Sequence, residues 1–157
     1  MADGSDEPEL IEPLARLIED GAALAAASRY SPGGRQIGGP FIKRTLSRLA
    51  GLSLYWLARV GTRDATGSFK AYSKQFVAEV GIDSRAGFEI GIELVAKARR
   101  LRRPVAELPT VWTDRVAGES NFRVLAWLPA YLRWYFFAFG PPLDVATLRR
   151  KASRSAA

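Results

Sequence analysis

Between Pro8 and Asp20 the apolar residues Leu10, Ile11, Leu14, Leu17 and Ile18 recur at helical spacing and predict one amphipathic helix. Gly21 ends it. Ala22 to Ser28 is an unbroken run of small apolar residues and predicts a buried strand. Residues 31–40 are rich in Gly and Pro and read as a loop. Phe41 to Val60 predicts a long helix whose broad apolar face carries Leu46, Leu49, Leu52, Leu54, Trp56 and Leu57. A second loop, 61–68, precedes a short extended piece at 69–73 and a turn or two of helix at 74–80. Gly87 to Arg103 predicts another amphipathic helix. Its Phe88, Ile92, Val95, Ala96 and Leu101 pack inward, while Lys97, Arg99, Arg100, Arg102 and Arg103 face out or grip something anionic. Pro104 to Trp112 alternates as a strand, and its prolines push it to a sheet edge. Phe122 to Phe139 is an aromatic helix carrying Arg123 and Arg133, suited either to a membrane interface or to packing on the domain. Pro141 to Ala157 is basic and small, and is expected to be disordered. Helix and strand alternate, so the fold class is α/β.

Composition narrows the chemistry. The 157 residues include no Cys and no His, which removes disulfides, thiolate or imidazole metal sites and Ser-His-Asp catalysis. Chemistry must rest on carboxylates, Arg, Lys, Tyr, Ser and backbone groups. The net charge of +7 is uneven: residues 1–30 hold seven acidic side chains against Arg16 and Arg29, and the remainder is strongly basic. Such a body attracts phosphates, nucleic acid or an anionic membrane face. The acidic start lacks the basic and apolar segments of a signal peptide. Lys43, Arg44 and Arg48 fall near a helix start, where they oppose the dipole, and an anionic ligand is one account of them.

Polar loops punctuate the elements. Asp3 and Asp6 flank Gly4-Ser5 in an acidic turn that could aim oxygens at Mg²⁺ or Mn²⁺ or could cap the first helix. Arg29, the stretch Asp64 to Phe69 and the stretch Asp114 to Ser120 follow in order. In an α/β domain such loops gather at one sheet edge, and acid for a cation with Arg for phosphate suits a nucleotide diphosphate.

In this order the segments Met1–Pro8, Ser28-Arg29-Tyr30, Asp64–Tyr72, Gly87–Leu94 and Asp114–Ser120 resemble the inverting GT-A glycosyltransferases of family 2, the dolichyl-phosphate-mannose synthase type. The resemblance covers residues 1–140. It implies a partial GT-A, Rossmann-like domain over 1–121, an aromatic helix over 122–140 and a basic tail over 141–157. It implies sugar transfer from a nucleotide-diphosphate sugar to a polyprenyl phosphate or another membrane-associated acceptor, on the inner face of the cell membrane, with no nucleic acid expected. Asp3 matches the last aspartate of the family's Asp-x-Asp, and Met1 stands where its first would be. Asp3 and Asp6 would hold the metal. Asp3, Arg29 and Arg115 would be catalytic, Arg29 facing the donor and Arg115 meeting both phosphates. Arg44 and Ser47 would lie near the lipid phosphate, and Asp64 and Ser120 would bind substrate. A phosphate acceptor is already ionised. For a hydroxyl acceptor, Glu89 or Glu93 would be the candidate base, unless they are solvent-facing helix charge.

The family also has a nucleotide-binding half of roughly 90 residues before the acidic turn. This chain is expected to be a fragment, a mis-assigned start or one piece of a larger assembly, with little transferase activity alone. The rival expectation is a non-catalytic basic module for a membrane surface or nucleic acid.

Overall fold

The computed structural model describes residues 4–85, 87, 89–114 and 124–154. A 3₁₀ turn at Pro8–Leu10 runs into helix α1 (Ile11–Glu19). Pro13 falls in the first turn of α1, where no intrahelical N–H is needed. The chain reverses through Gly21, whose φ of +103° is open to glycine at little cost. It then enters strand β1 (Leu24–Ser28), every residue of which is buried, as the apolar run predicts.

β1 is the middle of a three-stranded mixed sheet. It pairs antiparallel with β3 (Lys70–Tyr72) and parallel with β4 (Val105–Pro109), in register Leu24↔Tyr72 and Leu24↔Val105. β4 is therefore an edge strand, as its prolines require. The predicted strand at 104–112 is divided. After Thr110 the chain leaves the sheet as β5 (Val111–Thr113) and pairs in parallel with β2 (Arg35–Ile37). β2 lies inside the segment expected to be loop.

Helix α2 (Phe41–Ser53) continues as a π turn over Leu54–Ala58, giving nearly the whole predicted helix. α3 (Lys74–Val80) is capped by Ser73, whose hydroxyl accepts from Phe76 N at 3.3 Å. α4 (Ile90–Arg100) is buried at every residue from Gly91 to Ala98. The expected outward face is thus corrected at two positions: Lys97 is wholly buried and Arg100 nearly so. α5 (Val124–Ala138) covers α4, burying Trp134 and Ala138 in the main core. On its other side Leu128, Leu132 and Phe136 are exposed, so both readings of this helix have a face.

The tail expected to be disordered forms α6 (Val145–Arg154). Asp144 caps it, accepting from Thr147 N at 2.7 Å, and Leu148 is buried in the main core, against which Leu143 packs. An apolar residue either side of the cap is the arrangement of a hydrophobic staple. Arg149 donates to the Ala78 and Glu79 carbonyls of α3. A second, smaller core of Leu14, Ala25 and Ala27 lies under α1 on the opposite face of the sheet.

Candidate functional site

Arg29 leaves the carboxyl end of β1, the edge at which α/β sheets gather ligand groups. Its guanidinium forks onto Asp64, with Nε 2.6 Å from Oδ2 and Nη2 2.8 Å from Oδ1, and its own backbone N–H donates to Oδ2 at 3.1 Å. The Asp64 side chain is fully buried and that of Arg29 is 14% exposed. Burial would lower the Arg29 pKa, but the hydrogen bond and charge of Asp64 outweigh it, with a smaller push from Asp6, and raise it. Burial would likewise raise Asp64, and Arg29 outweighs this and holds it below the usual carboxylate range. This is a fixed ion pair with no proton to give near neutral pH.

Asp64 also shapes its own loop. Oδ1 accepts from Gly67 N at 2.9 Å, and Asp64 N donates to Thr62 Oγ1 at 3.1 Å. Such local side-chain bonds to backbone make aspartate a turn former. Around the pair sit hydroxyls. Ser47 Oγ lies 3.2 Å from Arg29 Nη2, 3.0 Å from the Tyr30 hydroxyl and 2.7 Å from Thr66 Oγ1. Arg44 precedes Ser47 by three residues, so both stand on one face of α2. Arg44 lies 5.7 Å over the Phe41 ring.

Lys70 closes the far side, donating to the Ala65 carbonyl at 3.4 Å and to the Gly67 carbonyl. Burial of its ammonium, partly opposed by Asp64, lowers its pKa to about 8. An unfolded lysine titrates near 10.5, so from pH 8 to 10 the unfolded chain binds more protons than the folded one, and this group's contribution to stability rises with pH. The stability difference between wild type and Lys70→Met should therefore grow between pH 7.5 and 9.5 in urea titrations. A constant difference would show that the ammonium is solvated.

Two helices press on this loop by backbone contact. A Cβ on Gly51 of α2 would lie 2.2 Å from the Arg63 carbonyl oxygen, and one on Gly91 of α4 would lie 2.7 Å from that of Gly67. Gly51→Ala must push α2 away from the Asp64 loop. It should cost about 1–3 kcal/mol, read as a lowered denaturation midpoint, the usual range for overpacking.

The expected site residues separate into groups. Asp6, Arg29, Ser47 and Asp64 come together, Asp6 through its charge on Arg29. Glu89 is buried and accepts from Arg85 N at 3.1 Å. Tyr131 of α5 joins this side: burial first, then Glu89, raises its pKa, while Arg29 opposes. Glu93 stands apart, and neither reading of it holds. It is wholly buried and held by Lys97 at 2.6 Å and by the backbone N–H groups of Asp83 and Ser84 at 2.7 and 2.8 Å, so it is neither a solvated charge nor an available base. Asp3, Arg115 and Ser120 lie outside the described residues. Among the described residues no group of three or more acidic side chains could hold a metal ion. Asp6 contributes one carboxylate, whose charge is felt weakly at Arg29.

Thr66, Lys70 and Tyr131 were not singled out by sequence, although Thr66 and Lys70 lie within the segment that carries the resemblance. The carboxylate of Glu7, next to Asp6, accepts from Val111 N at 2.6 Å and Thr110 Oγ1 at 3.0 Å, tying the acidic turn to β5.

The chain is 32% identical over 139 residues to a polyprenol monophosphomannose synthase of Mycolicibacterium smegmatis, covering 80% of this chain and 52% of that protein. It is 26% identical over 122 residues to an undecaprenyl-phosphate mannosyltransferase of Micrococcus luteus, covering 76% of this chain and 50% of that protein. The chain thus spans about half the length of these curated relatives. No protein-family model matches it.

Proposed function

We propose that this chain supplies the acceptor side of a family 2, GT-A glycosyltransferase that moves a sugar from a nucleotide-diphosphate sugar to a polyprenyl phosphate. The observation that carries this reading is the Arg29–Asp64 fork beside the Ser47 and Thr66 hydroxyls, at the carboxyl end of β1. The names of the two relatives, each a mannose transfer involving a polyprenyl chain, support it.

The residues suit such a reaction. An acceptor phosphate is ionised at neutral pH, so the site needs to hold and aim it rather than deprotonate it. Arg44 and Ser47 offer a cation and a hydroxyl on one helix face to the acceptor phosphate. Arg29, preset by Asp64, presents a fixed positive end toward the transferring group, and Arg115 would meet both phosphates. The acceptor oxygen bonds to the anomeric carbon as the bond to the nucleotide diphosphate breaks on the opposite side, which inverts the configuration. Asp3 and Asp6 are the proposed ligands of a Mg²⁺ or Mn²⁺ that would neutralise the departing diphosphate.

The proposed setting is the cytoplasmic face of the cell membrane. On α2, Phe41, Ile42, Leu46 and Leu49 are exposed among Lys43, Arg44 and Arg48, a composition suited to an anionic lipid surface. Among the described residues no helix is long and apolar enough to cross a membrane.

Acceptor binding tests the reading without needing a donor site. The chain in detergent should bind a short polyprenyl phosphate, and Ser47→Ala with Arg44→Gln should weaken binding at least tenfold while leaving the unfolding free energy within about 1 kcal/mol of wild type. Equal affinity for the dephosphorylated polyprenol would sink it.

A further inference from the structure

A second cationic site lies at the opposite end of the parallel β1–β4 pair. There a cavity of about 480 Å³ is lined by Arg59, Arg99, Arg102 and Arg103 together with Gly61, Pro104 and Val105. Among the described residues no carboxylate lines it. Val105 pairs with Leu24, at the start of β1, whereas Arg29 follows Ser28 at its end. Five residue steps from Leu24 to Arg29, at about 3.3 Å each, separate the two places by roughly 17 Å along the strand.

The backbone singles this cavity out independently of its charge. Arg59 and Arg102, with φ of +57° and +53°, are the only non-glycine residues in the left-handed region among those described, and both line it. Arg59 is the cap after the π turn of α2, and Arg102 follows the cap of α4. Glycine is the usual residue at such helix ends because a side chain is strained there. Strain retained at two positions facing one cavity points to a use for the side chains.

The remaining two arginines are built in. Arg99 Nε donates to the Ala58 carbonyl at 2.9 Å and its Nη1 to the Gly140 carbonyl, which fixes the guanidinium at the cavity wall. Arg103 pairs with Glu79, which is not part of the lining. Capping of helix carbonyls accounts for Arg99. It does not account for Arg59 and Arg102, where glycine would cap without strain. Four guanidinium groups around one space repel one another unless an anion enters.

We propose that this cavity is a binding site for a phosphate-bearing anion, separate from the Arg29 site. Planar arginine forks match phosphate oxygens, and two strained, solvent-facing arginines beside two anchored ones suit a diphosphate or a phospholipid headgroup.

The test compares wild type with the double variant Arg59→Gly, Arg102→Gly, using Arg16→Gln as a control. The arginines serve a ligand if the double variant melts no lower than wild type, since glycine relieves the strain, yet loses one class of pyrophosphate sites at least tenfold by calorimetry. In a second arm, flotation with phosphatidylglycerol vesicles is compared with flotation on phosphatidylcholine. Loss of pyrophosphate binding alone assigns a soluble polyphosphate, and loss of flotation on the anionic vesicles as well assigns a headgroup. The proposal is overturned if pyrophosphate affinity and flotation are both unchanged, or if Arg16→Gln lowers them equally. An Arg44→Gln, Ser47→Ala variant should keep this class of sites, so failure here and failure of the acceptor reading can be told apart.

Discussion

Asp64→Asn should lower the stability of the chain by about 3 kcal/mol, the low end of the range for removing one partner from a buried pair. In a protein of this size that is roughly 6–12 °C in melting temperature. The substitution preserves shape, so the loss measures charge. Arg29 keeps its desolvation and loses the carboxylate that offsets it, and the Gly67 and Arg29 backbone N–H groups face an amide in place of an anion. Adding Arg29→Met to Asp64→Asn should recover more than half of the loss, because a neutral pair no longer buries an unmatched cation. The low end applies because Arg29 retains some exposure. A loss below about 1 kcal/mol would mean that the pair behaves as a solvent-screened surface bridge. The same variant should abolish polyprenyl phosphate binding, since Ser47 and Thr66 are arranged around the Arg29 fork.

What the sequence made legible was local. The helix at α1, the buried strand β1, the edge character of β4 and the grouping of Arg29 with Asp64 all follow from spacing, prolines and the order of motifs. What it hid depends on partners distant along the chain. β2 is a three-residue strand in a glycine-rich segment, and its partner β5 lies more than seventy residues later. No local pattern announces it. The tail 141–157 has the composition of a disordered segment, yet Asp144 as a cap and Leu143 and Leu148 on either side of it were readable as a helix start. Tyr131 reaches the Arg29 side because α5 folds back over α4, and periodicity within α5 cannot report that.

Lys97 shows the same limit and gives the second large effect. On a helical wheel Glu93 and Lys97 form an ordinary i, i+4 surface pair, and the cover provided by α5 together with the end of α3 and the segment after it makes them interior. Lys97 Nζ reaches Glu93 at 2.6 Å, Asp83 at 2.8 Å and the Gly81 carbonyl at 2.9 Å, and stands 5.3 Å from the Trp134 ring. One ammonium therefore joins the end of α3, the segment after it, α4 and α5. Lys97→Met should cost about 3–5 kcal/mol, because it leaves the Glu93 carboxylate buried with only two N–H donors. Glu93→Gln in the Lys97→Met background should restore at least half of that, and the two single changes should sum to more than the double. Tryptophan fluorescence during urea unfolding reads the stability of all four proteins. Additive losses would show that Lys97 and Glu93 act independently, with the hub held by packing alone.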